Sequence, residues 1–261
     1  MTDIVHSRGG LRSVARLEWL RLSRSRHISL SILASAAVLI IATAMRYVYK
    51  YDAVQIYDNV LSAGVFGMLA YLLPFLFASG TISEELEGRT FPFLLTRPTR
   101  RSTLLLGKLV VTSAASATLL VVSLVALHAI MFLFDAHLFL NRFPMVMQQA
   151  ASVGLLACCY CAVCLFWGAI VPRASGIACA LHLAVLEFGA GYILPGSARL
   201  ISLGTQARKL AGLPDRGFFQ ADLGTHIPVW GYAGIMVLAG VLFTGAAVLI
   251  FQHREFSADR A

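Results

Sequence analysis

The chain has 261 residues, 58% of them hydrophobic and only 13% charged, against roughly 25% charged in an ordinary soluble domain. That composition excludes a soluble globular enzyme and implies an all-α integral membrane protein, because an isolated strand cannot satisfy its backbone in lipid. A net charge of +8 would suggest nucleic acid as a partner in a soluble protein, but here no polar domain is available to host it, and most of the basic residues flank apolar runs.

The N-terminal stretch places Leu11, Ala15, Trp19 and Leu22 on one helical face, with Arg12, Arg16 and Ser23 beside them. This predicts an interfacial helix over about 11–24, lying on the inner membrane surface with Trp19 at headgroup level. Glu18 interrupts that apolar face, and Leu17 and Leu20 lie off it. Six spans follow, at about 28–48, 60–80, 105–134, 149–171, 176–195 and 229–251, each long enough to cross roughly 30 Å of hydrocarbon. The first reads as a retained span: its apolar run is too long for a signal-peptide core, and Ala-Met-Arg-Tyr at its end is a poor cleavage site. Pro74 predicts a kink in the second span, and the third is long enough to tilt or project.

With the N-terminus inside, 14 Lys and Arg fall in inner segments and seven in outer ones. This bias places both termini in the cytoplasm of a multi-pass plasma (inner) membrane protein. All five cysteines, Cys158, Cys159, Cys161, Cys164 and Cys179, lie inside predicted spans and read as small packing residues rather than a metal or redox site. Residues 196–228 form the longest outer segment, rich in Leu and Phe, and are read as dipping into the membrane. With no repeat and no low-complexity linker, residues 1–261 read as one domain.

Between spans two and three, residues 83–101 read Ser-Glu-Glu-Leu-Glu-Gly-Arg-Thr-Phe-Pro-Phe-Leu-Leu-Thr-Arg-Pro-Thr-Arg-Arg. Thr81 followed by Glu84 has capping-box spacing, so a short helix can begin there with Glu84, Glu85 and Glu87 in its first turns. Gly88 would end it, and Thr90 can cap a second short helix bearing Phe91, Phe93, Leu94 and Leu95. Pro98 stands where the third span's helix can start. A plain solvated loop accounts for Arg97, Arg100 and Arg101 but not for the apolar cluster between the charges, and an exposed apolar patch rimmed by charge marks a protein interface.

The spacing of Glu84, Glu85, Gly88, Thr90, Leu94, Arg97, Pro98 and Arg101, followed by Gly107 and Lys108 at the opening of span three, resembles the loop by which type-2 ABC exporter permeases meet their ATPase. The likeness extends to the interfacial helix, the six spans and the segment between spans five and six, where such permeases have short re-entrant helices. Arg89 separates Gly88 from Thr90, and Pro92 falls inside the apolar stretch; both depart from the family pattern and bear on docking geometry. The resemblance implies a pair of permease subunits, a second copy or a homologue completing the pathway, with a separate ABC ATPase subunit gripping the Phe91–Arg97 region as a coupling helix. ATP and Mg would then belong to that partner. Gly107-Lys108 is not itself a phosphate loop, since it is followed by Leu109 and lacks the upstream glycine.

Two other features invite a role. Glu187, the single carboxylate near mid-membrane, reads either as a pathway-lining or proton-linked group or as a hydrogen-bonded carboxyl packed against another helix. His182 precedes it by five positions, on a different helical face, and lone His128 reads as structural; neither predicts a metal site. The rival functions are a membrane-embedded hydrolase or lipid-head-group transferase, for which no recognisable constellation is present, and a non-transporting scaffold that recruits an ATPase.

Overall fold

The computed structural model of the chain describes residues 2–48, 52–82, 101–194, 196–214 and 227–253. Helix α1 runs Thr2–Ser23. A short turn, with Arg24 N bonded to Arg21 O and Ser25 N to Leu22 O, hands the chain to α2, Arg26–Tyr47. Then come α3 (Ala53–Ala78), α4 (Arg101–Phe132), α5 (Ala136–Ile170) and α6 (Pro172–Ile193). A 3-10 stretch, Gly196–Ile201, leads to the short α7, Leu203–Leu210, and α8 is Val229–His253. Six of these helices, α2 to α6 and α8, are long and apolar enough to cross a membrane, and the described residues contain no strand.

The second and fourth spans start earlier than their apolar runs, at 53 rather than 60 and at 136 rather than 149. Caps explain the difference. The Asp52 side chain accepts from Gln55 N at 3.1 Å, and the Asp135 side chain accepts from Leu138 N at 3.1 Å. Each starts a helix in a polar stretch that hydropathy alone passes over. At about 1.5 Å per residue, the 35 residues of α5 extend for about 52 Å, well beyond the hydrocarbon.

Helix α5 is the axis of the bundle, with α4 and α8 packed along it. Small residues permit the close approach: the Cys159 thiol lies against Gly240 and donates to Met236 O at 3.2 Å, while Cys161, Cys164 and Cys179 are buried alongside Ala78. In lipid, where the hydrophobic effect does not drive helices together, this kind of packing is the main source of cohesion. His128 packs among Tyr57, Phe132 and Phe139, with Nε2 3.2 Å from Phe139 O. His182 lies between the rings of Trp167 and Phe243.

Two spans are irregular. Helix α3 is π-helical over Leu61–Leu69, ahead of Pro74, and α6 is π-helical over Leu183–Ala190. Such widened turns release backbone groups from their usual partners and often mark functional positions. Both meet α7.

Helix α1 has one side turned to the bundle: Leu22 is buried in the core and Glu18, read as an interruption of the apolar face, is 5% exposed, while Trp19 is 52% exposed. The helix packs against α4, and Val14, Glu18 and Leu22 recur every fourth residue on its inward side. Leu17, Trp19 and Leu20 stand on the outside with Arg12 and Arg16.

Candidate functional site

Two groups of buried polar side chains stand out, at opposite ends of the bundle. The first lies where α1 meets the close of α3 and the start of α4. A Cβ on Gly107 would come 2.7 Å from Val14 Cγ1, so glycine here is what lets α1 seat on α4. One turn further along α1, the Glu18 carboxylate stands 3.6 Å from the Arg21 guanidinium and 3.8 Å from Lys108 Nζ. Lys108 is 1% exposed, and its Nζ donates to Thr81 O at 2.8 Å. Arg21 reaches the same carbonyl at 3.5 Å. The Thr81 hydroxyl donates back to Ala78 O at 2.9 Å, closing the last turn of α3.

Thr81 and Lys108 flank the stretch 83–100, and two cations tie its two sides to each other and to α1: Lys108 and Arg21 both donate to Thr81 O, and the Glu18 carboxylate lies between those two cations. The neighbouring spans converge on the same corner. Ile82 packs in a cluster with Leu104, Leu105, Leu165, Ala169 and Phe251, drawn from α4, α5 and α8. Ser175, opening the helical part of α6, donates to Ser79 O at 2.6 Å.

Of the predicted coupling residues, Glu84, Glu85, Gly88, Thr90, Leu94, Arg97 and Pro98 lie outside the described residues, and Arg101 is the first residue of α4. What the structure describes is the frame from which that loop leaves and to which it returns.

The second group surrounds Glu187, in the π-helical part of α6 and 2% exposed. Its Oε2 accepts from Ser202 Oγ at 2.6 Å and from Gly204 N at 3.0 Å, and its Oε1 accepts from Leu203 N at 3.1 Å. Ser202 also caps α7 through Thr205 N. Glu187 therefore satisfies the first backbone N–H groups of a short helix that would otherwise leave them bare in an apolar interior. The other end of α7 is treated alike: Ser152 Oγ donates to Ala207 O at 2.5 Å and Gln148 Nε2 to Leu210 O at 2.6 Å. Gly204 has no room for a side chain, since an added Cβ would meet the Tyr71 hydroxyl and lie 3.0 Å from Glu187 Oε2.

Within the segment between spans five and six, the described residues 196–214 include a short helix, α7, packed against the spans. The residues that seat it, Gln148, Ser152 and Arg208, went unnoticed. Their only sequence signal is polarity within or beside apolar runs, which alone does not say what they face. Among the described residues no three His, Cys, Asp or Glu side chains are grouped to hold a metal ion.

Taken together, these features define a polytopic, all-helical membrane protein whose loop between its second and third spans springs from a clamped corner. A family model described as ABC-2 family transporter protein matches residues 15–186, and the chain belongs to that family. The matched range takes in the Glu18 corner and ends one residue before Glu187. No curated protein matches the chain.

Proposed function

We propose that the chain is the membrane-spanning permease subunit of an ATP-driven exporter in the plasma (inner) membrane. Both termini and the Glu18 corner face the cytoplasm in this reading, as the 14-to-seven distribution of Lys and Arg favours. A separate ABC ATPase docks on the 83–101 loop, supplies the ATP and Mg chemistry, and works on a pathway completed by a second permease subunit.

The observation that supports this reading best is the mounting of the loop. Thr81 on one side is joined to α1 through Arg21 and Lys108 on the other through Glu18, Lys108 also binds Thr81 O, and Ile82 is packed into α4, α5 and α8. A force applied to such a loop moves helices rather than deforming a slack connection, because close-packed interiors transmit strain. Membership of the transporter family supplies the expectation of an ATPase partner, and the acidic, apolar and basic order of residues 84–101 supplies a surface for it.

Substitution within the loop tests the assignment. Leu94→Asp and Arg97→Glu should leave membrane insertion intact and lower transport about tenfold or more, the effect of losing about 1.4 kcal/mol or more at an interface hot spot. Transport and ATP hydrolysis are measured together in proteoliposomes containing both subunits. Undiminished transport, still coupled to hydrolysis in both variants, contradicts the docking assignment.

A further inference from the structure

Arg208 lies on α7 and is 7% exposed. Its Nη2 donates to Tyr192 OH at 2.6 Å and to Ser62 O at 3.4 Å, and its guanidinium lies 5.3 Å from the Tyr192 ring centroid. Both hydrogen-bond acceptors are uncharged, and Nε, itself buried, has no hydrogen-bond partner. Among the described residues no carboxylate comes within ion-pair distance of it. Arginine does not shed its proton, and a buried charge without a counter-charge costs several kcal/mol. Among the described residues this guanidinium is held by neutral groups, where an anionic one would be worth far more.

It also borders a cavity. The walls are formed by Tyr71, Glu187, Tyr192, Ser202, Thr205 and Arg208 together with two glycines, so no purely apolar side chain lines it, in a chain that is 58% hydrophobic. The remaining space fits about one water. Glu187 shares the cavity but makes no ion pair with Arg208: its oxygens are turned to Ser202 Oγ, Leu203 N and Gly204 N, at the positive end of the α7 dipole. Of the described lining residues, Tyr192 alone is half-buried rather than buried, so its ring is the most accessible part of the wall.

We infer that Arg208 is the anchor of a binding site for a single acidic group, a phosphate or carboxylate, presented by a ligand that enters between α3, α6 and α7. The planar fork of the guanidinium suits two oxygens of such a group. Displacement of the Tyr192 hydroxyl and ring admits it, and the hydroxyls of Tyr71 and Thr205 line the space it would fill. The acidic group belongs either to a lipid headgroup or to a free solute; the chemistry at Arg208 is the same. This inference stands on Arg208 and its surroundings and does not depend on an ATPase docking at the other end of the bundle.

The full-length protein, purified in a mild detergent, is titrated with three probes while its unfolding temperature is followed. These are dihexanoyl phosphatidic acid, dihexanoylglycerol, which has the same tails without phosphate, and inorganic phosphate. Phosphatidic acid near saturation should raise the unfolding temperature by about 5 °C, and dihexanoylglycerol should not. A rise with inorganic phosphate as well shows that a free anion suffices; a rise with phosphatidic acid alone assigns the site to a lipid headgroup. Arg208→Gln should abolish the rise, and Arg208→Lys, which keeps the charge and loses the fork, should weaken binding about tenfold or more. No rise in the natural protein with either phosphate-bearing probe overturns the inference, as does an equal rise in Arg208→Gln. Should Arg208→Gln fail to fold, equal affinities for the natural protein and Arg208→Lys overturn it instead.

Discussion

Glu18→Lys should be among the most damaging single substitutions in the chain, although Glu18 lies on a helix that the sequence presents as a surface element. It would place a third cation beside Arg21 and Lys108, in a corner where Lys108 is 1% exposed and Glu18 itself 5%. Breaking a buried pair in this way costs about 3–5 kcal/mol, which for a chain of this size is roughly 10 °C in unfolding temperature. Glu18→Gln keeps the shape and loses only the charge, so its effect should be smaller. The decisive comparison is the charge exchange, Glu18→Lys combined with Lys108→Glu, which should recover much of the stability lost by either reversal alone. In a transport assay the single reversal should lose activity and the exchange regain part of it. If the double variant is as impaired as the sum of the single reversals, the two residues do not act as a pair.

Glu187→Ala should be nearly as severe, by a different route. The substitution leaves Leu203 N, Gly204 N and Ser202 Oγ without their acceptor. Buried donors left unmatched cost about 1–3 kcal/mol each, although membrane interiors soften such penalties; a net loss of about 2–4 kcal/mol is expected. The helix held in place is α7, so its attachment to α6 should loosen first, measured as faster protease cleavage around residues 203–213 alongside a lower unfolding temperature. Glu187→Gln keeps one acceptor oxygen and should retain most of the stability. Transport in that variant then separates the two readings of Glu187: normal transport means that the carboxyl only seats α7, and a stable but inactive protein means that it lines the pathway. Unchanged stability in Glu187→Ala would contradict the capping role.

What the sequence made legible follows from how each feature is encoded. Spans are encoded locally, in runs of apolar residues, and all six were readable. Their beginnings were less so, because Asp52 and Asp135 start helices in polar stretches where hydropathy is silent. The inward side of α1 was not legible for a related reason: Leu11, Ala15, Trp19 and Leu22 make a fair apolar stripe, but Glu18 meets Lys108, a partner 90 positions away that periodicity cannot reveal. Gly107 and Lys108 were recognised as a pair, and the structure supplies their physical content: the glycine admits Val14, and the lysine binds Thr81 O and Glu18. Glu187 was singled out because carboxyls are rare at that depth. Its partners Ser202, Leu203 and Gly204, and the cavity beside Arg208, arise only when the chain folds back between spans five and six.

The most direct test of whether a separate ATPase holds the 83–101 loop is to purify the tagged chain from its native membrane in a mild detergent, identify its companions by mass spectrometry and assay ATP hydrolysis. A stoichiometric ATPase that accompanies the natural protein and is lost with Arg97→Glu is the predicted result. A chain recovered alone and inactive across several mild detergents would contradict it.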